Sequence, residues 1–527
     1  MFLKIRNIYL EYSTIFILAF LAGAFISFYN LSVLFILILV LFVIMSFKYF
    51  NQMLLLLILY IPFQLALNIT SGVDLASSRV FILYLFAVWV LKSLAEKKFV
   101  IRLNLQTILI YAFLVLALFS MFQAWDTERA VRKILVFLSI FPLYFILSSV
   151  EISKHNLYKI IKMLVIGGIL ISLIGIIQFI SQFILGIDLV AEFWSKYIAF
   201  IFYGKTFGSE VISNPSWLVN VSGMTIFRGI SLFPDPHMLS FYLGLIIPII
   251  LAIALVGKKN ININSFVIAR RNDETISGLC ARIVMMHIIK IKTRLLHFFE
   301  FHNDKHTFFS NKLIYIILFI MFLAEFLTFS RGGYIGMIAG IGILIILSWK
   351  YLSANKKILI GMFFSLFLFI ILFTNQSIVN RFFSSFDLSE GSNAERIKNW
   401  HQGWEVFSEN ILTGVGIGNY SIYLYPTIEY RTPVYAHNLY LDIGAEMGIF
   451  ALIVWLLLIG VTIWQLYKTS KSAEDNFFRA LSLGLIGSIV WFSFHGIFDT
   501  PIYSPTILAI FMVIISLASM ILSKEKI

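Results

Sequence analysis

Long uninterrupted apolar runs, several approaching twenty residues, restrict the fold of this sequence more than any other feature. A segment of that length is long enough for an α-helix to cross the apolar core of a bilayer. Hydrophobic residues make up 60% of the 527-residue chain and charged residues only 13%, which excludes a water-soluble globular protein. An outer-membrane barrel would instead show short alternating segments. The sequence therefore predicts an all-α polytopic integral membrane protein.

The apolar runs predict about 12–14 transmembrane helices. The direct count is fourteen, at 12–29, 31–47, 53–68, 79–94, 105–122, 131–149, 161–184, 236–256, 312–330, 332–349, 357–374, 440–466, 480–498 and 504–523. The two pairs of runs that meet at Asn30 and at Arg331 each require a tight turn at the membrane surface. The first run follows a basic segment without a small-residue cleavage site, so we expect a retained span there.

The distribution of positive charge predicts the orientation of the chain. When alternate loops are assigned to opposite faces, most of the 40 Lys and Arg residues lie on the face that holds both termini, even without the long basic loop. Loops rich in Lys and Arg stay in the cytoplasm, so both termini are expected there. The net charge of +13 then reflects orientation, and no nucleic-acid partner is expected. The single cysteine, Cys280, excludes an internal disulfide.

Three segments divide the chain. Residues 1–256 form N-terminal membrane helices with an aromatic outer loop at 185–235, which is expected to lie in the headgroup region. Residues 257–311 form a basic cytoplasmic insertion with no expected role in chemistry. Residues 312–527 form a second membrane domain with a large outer loop at 375–439. Apolar residues at spacings of three and four predict an amphipathic helix in that loop, namely Ile397, Trp400, Trp404 and Phe407.

Polar residues are concentrated in the stretch 414–450, which reads GVGIGNYSIYLYPTIEYRTPVYAHNLYLDIGAEMGIF. Its glycines lack the spacing and the preceding strand of a dinucleotide fingerprint and predict a tight turn. His437 comes directly before a span and can take a proton near neutral pH, although a lone histidine is more often structural. Asp442 and Glu446 share one face of the helix start, and Glu446 requires a polar partner there.

Arginines on the outer side are the other candidates. Arg331 in LTFSRGGYIG is explained either by a snorkelling helix end or by a ligand site, and Gly332 and Gly333 favour a site with a close approach. Arg396 lies on the amphipathic helix, where a solvated charge is the usual explanation. His495 with Asp499 is a weaker pair, as are Arg228, Asp235 and His237. The chain contains no D-x-D motif and no zinc spacing.

Four motifs together resemble the O-antigen ligase and O-antigen polymerase superfamily of bacterial envelope glycosyltransferases. They are SRGG at Arg331, AERIKNW at Arg396, the turn LTGVGIGNY, and AHNLYLDIGAEMGI around His437. FRGISLFPDPHMLSFYLG also resembles an upstream phrase of that family, so the likeness runs from about Arg228 to the C terminus. The cytoplasmic insertion departs from the pattern, and fourteen spans exceed the twelve typical of the ligases.

The resemblance implies transfer of a glycan from an undecaprenyl diphosphate carrier to a hydroxyl of lipid A-core, to another lipid-linked glycan or, in relatives, to a protein side chain. The reaction is expected at the periplasmic face of the bacterial inner membrane, among membrane lipids, without a metal or cofactor. Guanidinium groups bind phosphate bidentately, so Arg331 and Arg396 are expected to hold the diphosphate. His437, with a reference pKa of about 6.5, is the expected base or acceptor-orienting group. Residues expected to bind substrate are Arg228, Arg431, Asn438, Glu446 and Tyr420.

Two alternatives remain at the level of sequence. A polymerase differs from a ligase in its acceptor, and the large outer loop before the histidine favours the ligase slightly. A transporter is the alternative from another class, with Pro142 and Pro248 inside predicted spans. The absence of an inverted repeat, and ionisable residues gathered at the outer boundary instead of the midplane, argue against it.

Overall fold

The computed structural model describes residues 40, 42–70, 73–98, 101–213, 215–221, 223–257, 311–358, 360–362, 391–428 and 434–524. The predicted span 12–29 and most of the spans 31–47 and 357–374 lie outside these residues. So do most of the insertion 257–311, part of the loop 375–439, and Arg431.

The N-terminal half is a series of apolar helices. Its elements are helix α1 (Phe50–Tyr60), strands β1 (Ala66–Thr70) and β2 (Val73–Ala76), and helices α2 (Ser77–Ala95), α3 (Leu105–Ser120), α4 (Thr127–Ile140), α5 (Pro142–Ser149) and α6 (Lys154–Leu185). Short 3-10 turns follow α1 and α3, at Ile61–Phe63 and Met121–Gln123. Helix α4 ends before Pro142, because a proline lacks the amide that would continue the helix, and Pro142 starts α5. The predicted span 131–149 is therefore two consecutive helices.

The aromatic outer loop folds into a small unit of its own. It contains α7 (Ile187–Phe193), a π-helical segment (Trp194–Ala199), α8 (Phe200–Phe202), α9 (Lys205–Ser213), a 3-10 turn (Pro215–Trp217), and the antiparallel pair β3 (Leu218–Val221) and β4 (Met224–Phe227). Tyr203 and Trp217 are buried in its apolar core, whereas Tyr197 is 58% exposed. Part of the aromatic content expected at the headgroups therefore packs inside the protein.

The C-terminal half carries the longest helices. They are α10 (Pro236–Val256), α11 (Asn311–Leu327), α12 (Arg331–Ser348), α13 (Gly391–Glu409), α14 (Tyr420–Leu424), α15 (Leu439–Ser472), α16 (Asn476–His495) and α17 (Pro505–Lys524). Two 3-10 turns, Trp349–Tyr351 and Pro501–Tyr503, follow α12 and precede α17. Helix α15 is kinked at Gly448, whose φ of 77° leaves the helical region.

The helical fold class and most spans are confirmed. Within the described residues, nine helical segments are long and apolar enough to cross a membrane, and two shorter apolar ones, Phe50–Phe63 and Leu313–Leu327, accompany them. These eleven correspond to eleven of the fourteen predicted spans. The apolar windows of α10 and α17 are 89% buried, so these two helices form the centre around which the others pack.

The amphipathic helix of the outer loop exists as α13, and its packed face departs from the predicted apolar stripe at Trp404 alone. Val406 and Phe407 are buried, and Gly403 lies against Ala436 and Leu441, whereas Trp404 is 58% exposed. The helical spacing of Trp404 predicted that its side chain packs against the protein, but this side chain is exposed. The small residue Gly403 lets α13 approach the start of α15 closely.

Candidate functional site

His437 lies in a constrained loop at the mouth of α15. Its backbone has a φ of 50°, a left-handed conformation that non-glycine residues seldom adopt. Three contacts hold the loop: Trp400 Nε1 donates to the His437 carbonyl at 3.4 Å, and Asn438 caps α15 by accepting from the amides of Tyr440 and Leu441 at 3.0 and 3.1 Å. The imidazole side chain remains 40% exposed, so its position is fixed while its ring stays accessible.

Asp499 is the partner of His437. His437 Nδ1 lies 3.5 Å from Asp499 Oδ1, at the long limit of a hydrogen bond. Burial disfavours a charged imidazole, but the hydrogen bond and negative charge of Asp499 outweigh it, so the pKa of His437 is raised above its usual value. Burial likewise opposes ionisation of Asp499, yet His437 and His237 hold its pKa below the usual range. With Nδ1 engaged, His437 has Nε2 for other chemistry.

Asp442 and Glu446 support this loop from one face of α15, as their spacing predicted. Asp442 Oδ1 accepts from the Ala436 amide at 2.9 Å, and its other oxygen accepts from the Thr500 hydroxyl. Glu446, 3% exposed, accepts from the Tyr503 hydroxyl, which is the polar partner that the sequence required. Both carboxylates thus tie α15 to residues 500–503, directly after Asp499.

The glycine turn packs against the same helix. Gly414, Gly416 and Gly418 have φ values of 68°, 92° and 76°, which confirms the predicted tight turn. A Cβ at Gly414 would overlap the backbone of Glu446, and one at Gly416 would lie 2.6 Å from Ala124 Cα. The Val415 amide donates to the Ala445 carbonyl at 2.8 Å. The turn therefore packs against the backbone of α15 at Glu446 and supports the position of this residue.

Arg331 begins α12 after a three-residue turn. Ser330 caps the helix by accepting from the Gly333 amide at 3.1 Å, and Phe329 has a φ of 49°. A Cβ at Gly332 would lie 2.9 Å from both His495 Cδ2 and Phe498 Cβ. The groups that approach these glycines closely are side chains of the protein, whereas the sequence predicted a backbone or a ligand there.

Arg228 organises this turn. It is 8% exposed, and its guanidinium donates to the carbonyls of Thr328, Ser216 and Phe329 at 2.8, 3.0 and 3.0 Å. Burial lowers its pKa to about 10, and the opposing charge of Asp235 limits that fall. Arg228 therefore remains charged at neutral pH, but most of its donors hold backbone instead of being available to a substrate.

Electrostatic interactions connect Arg396 with Asp499 and with the two other arginines. Burial lowers the pKa of Arg396, Asp499 raises it, and the neighbouring Arg331 lowers it. The same two arginines lower the pKa of Arg228. Burial and the charge of Asp499 raise the pKa of Asp235 to about 7. Arg228, Arg331, Arg396 and His437, which are far apart in sequence, thus share one electrostatic neighbourhood.

Buried polar groups continue inward from the site. His237 Nδ1 and His495 Nε2 lie 2.8 and 3.4 Å from the Ser330 hydroxyl, and the ring of His495 stacks on Phe241 at 3.6 Å. Further in, Ser240 donates to the fully buried Glu325 at 2.6 Å. The sequence paired Asp499 with His495. In the structure α16 ends at His495, and the turn that follows brings Asp499 next to His437.

Two further predicted residues occupy less accessible places. Tyr420 is 1% exposed in a small apolar cluster with Val406, Phe407 and Ala436, so its ring faces protein. Asn438 uses its side-chain oxygen as the cap of α15. Arg431 lies outside the described residues. In the described part of the chain, no three His, Cys, Asp or Glu side chains form a group able to hold a metal ion.

Sequence reasoning named Asp499 only as a partner of His495, and it missed Thr500 and Tyr503, which complete the site. Asp499, Thr500 and Tyr503 contact His437, Asp442 and Glu446 in turn. The phrase FDTPIY, a polar interruption between two apolar runs, was the available signal. Its position after the thirteenth predicted span, on the same face as His437, would have placed it near the histidine.

Comparison with known proteins gives a partial match. Residues 316–456 match the model of the O-antigen ligase family. A further match, 27% identical over 212 residues, is to the teichuronic acid biosynthesis protein TuaE of Bacillus subtilis (strain 168). It covers 38% of this chain and 43% of that protein, so less than half of the relative is spanned.

Proposed function

We propose that this chain, which contains an O-antigen ligase domain at residues 316–456, transfers a glycan from a polyprenyl diphosphate carrier to an acceptor hydroxyl. Its family is that of glycosyltransferase-like proteins of cell-envelope polysaccharide biosynthesis. The observation that carries the proposal is the contact of His437 with Asp499, whose charge also acts on Arg396. Asp499 thus contacts the proton acceptor His437 and interacts electrostatically with Arg396.

In the proposed reaction, the acceptor oxygen attacks the anomeric carbon of the donor sugar, and the bond between that carbon and the diphosphate oxygen breaks. The hydroxyl proton goes to His437 Nε2, and the bonding electrons leave with the carrier diphosphate. Asp499 orients the imidazole through Nδ1 and stabilises the imidazolium that forms.

Arg331 and Arg396 have the role of binding the diphosphate. Charge grows on the leaving group as the bond breaks, and preorganised cations stabilise that charge most where water is excluded. Arg228 contributes positive charge and holds the turn that presents Arg331. Because guanidinium groups bind phosphate oxygens in pairs, we propose a metal-independent transfer.

Purified protein in liposomes tests this proposal. It is incubated with an undecaprenyl diphosphate-linked glycan and candidate acceptors, with and without a chelator. We expect a glycan product and free carrier diphosphate at rates that chelation leaves unchanged. Recovery of intact donor with every acceptor would overturn the proposal, and activity lost to the chelator and restored by a divalent cation would overturn its metal-independent part.

We place ligation to lipid A-core ahead of polymerisation, at the periplasmic face of the inner membrane. Lipopolysaccharide from a null strain separates the two on a gel. Unattached polymer that accumulates on its carrier indicates a ligase, whereas a single attached repeat indicates a polymerase.

A further inference from the structure

Next to His437 lies a cluster that the proposed reaction leaves unused. Tyr435 and Tyr503 stack with ring centroids 6.1 Å apart, and the Lys133 ammonium lies 3.4 Å from the centre of the Tyr503 ring and 5.0 Å from that of Tyr435. The ring of Tyr435 meets that of His437 nearly edge-on at 6.5 Å. All three side chains of this lysine–tyrosine cluster are partly exposed.

The residues of this cluster and the arginines lie on different structural elements around His437. Lys133 lies on α4 and Tyr503 on the turn before α17, whereas Arg331 and Arg396 lie on α12 and α13. The hydroxyl of Tyr503 is fixed by Glu446, and its ring stacks on Phe137 at 6.1 Å. The hydroxyl and the ring of Tyr503 are therefore held in place by the protein.

The start of α4 lies close to a second aromatic pair. Arg129 and Lys133 lie four residues apart on one side of α4, and Trp125 precedes its cap Asp126. Arg129 donates to Ser421 at 3.2 Å, and Trp125, 68% exposed, contacts the ring of Tyr423 at 5.3 Å. Trp125 and Tyr423 thus form a second aromatic pair next to the start of α4, the helix that carries Lys133.

We infer that Tyr435, Tyr503 and Lys133 form the acceptor subsite and bind the sugar that carries the attacking hydroxyl. This inference rests on the proposed function. The diphosphate engages the guanidinium groups, so the acceptor must reach His437 along another part of its surroundings, and the lysine–tyrosine cluster lies beside this histidine. Tyrosine offers a broad apolar surface with little conformational entropy to lose, which suits the C–H face of a sugar ring. A lysine held over the rings supplies hydrogen-bond donors for sugar oxygens.

Two variants and their conservative counterparts test the subsite. Tyr435→Ala and Lys133→Ala are compared with Tyr435→Phe and Lys133→Arg in liposomes. The donor is the lipid-linked glycan, and the acceptor probe is the delipidated repeat oligosaccharide of the host envelope. We expect the KM for the acceptor to rise about tenfold, which corresponds to a loss of about 1.4 kcal/mol in binding free energy. The KM for the donor should stay unchanged. The conservative variants should stay near the parent.

Lys468→Ala is the matched control. Lys468 lies 3.7 Å from the centre of the Trp464 ring, a similar cation–aromatic pair far along α15. It should leave both KM values unchanged. An equal rise in both KM values, or an unchanged acceptor KM in Tyr435→Ala and Lys133→Ala, would overturn the subsite. Failure of the parent protein to transfer glycan at all would instead overturn the proposed function.

Discussion

The charge on His437 depends mainly on one neighbouring carboxylate, that of Asp499. Burial alone would lower the pKa of this histidine, and Asp499 reverses the direction. The reversal matters for a base, since only the neutral imidazole accepts a proton. Activity should therefore fall as the pH drops through the raised pKa of His437.

Asp499→Asn tests this coupling. The amide keeps the shape of the side chain but removes its charge, so burial dominates and the pKa of His437 falls. We expect the acid limb of the pH–rate profile to move to lower pH, together with a smaller maximal rate. Thr500→Val, which removes the neighbouring hydroxyl from Asp442, is the control and should leave the limb in place. If the acid limb of Asp499→Asn stayed where it is in the parent, a group other than His437 would be responsible for that limb.

Among the helices, α12 packs against α10 and α16, and Gly333 lies where α12 approaches α10. Gly333 leaves room for the Ser240 hydroxyl, which is itself hydrogen-bonded to the buried Glu325. A methyl group at this position would push Ser240 away from Glu325. The carboxyl would then be buried without that partner, which costs free energy.

We therefore expect Gly333→Ala to lower the free energy of unfolding by about 1–3 kcal/mol. Gly342→Ala on the same helix is the matched control, because a Cβ there meets nothing within 4 Å. It should be neutral or slightly stabilising, as alanine favours the helix. Thermal unfolding in detergent measures both variants. Equal midpoints would contradict the packing of Gly333 against Ser240.

For the whole chain, the sequence predicted the helices and the candidate residues better than their partners. Eleven spans were found because apolar runs mark helices that face lipid or core. His437, Arg331 and Arg396 were found because polar groups are rare in such a chain. Asp499 was paired with His495 instead, since spacing along one segment does not reveal how the next loop turns. The burial of Tyr420 and the role of Arg228 as a backbone clamp also depend on tertiary packing.

The predicted orientation can be tested with cysteine labelling. Cys280, the single native cysteine, lies in the insertion 257–311 and should react with a membrane-impermeant maleimide only after the cells are permeabilised. In a Cys280→Ser background, Ser408→Cys on the exposed face of α13 should react in intact cells. Labelling of the two positions on the same side would contradict the assignment of α13 to the outer face.

The proposed reaction depends above all on His437, and its replacement is the most direct test. We expect His437→Ala, inserted and folded like the parent, to transfer lipid-linked glycan about 10²–10⁴-fold more slowly, the usual contribution of a general base. His401→Ala, at an exposed position on α13, should keep the parental rate. Transfer by His437→Ala at the parental rate would contradict the role of this histidine.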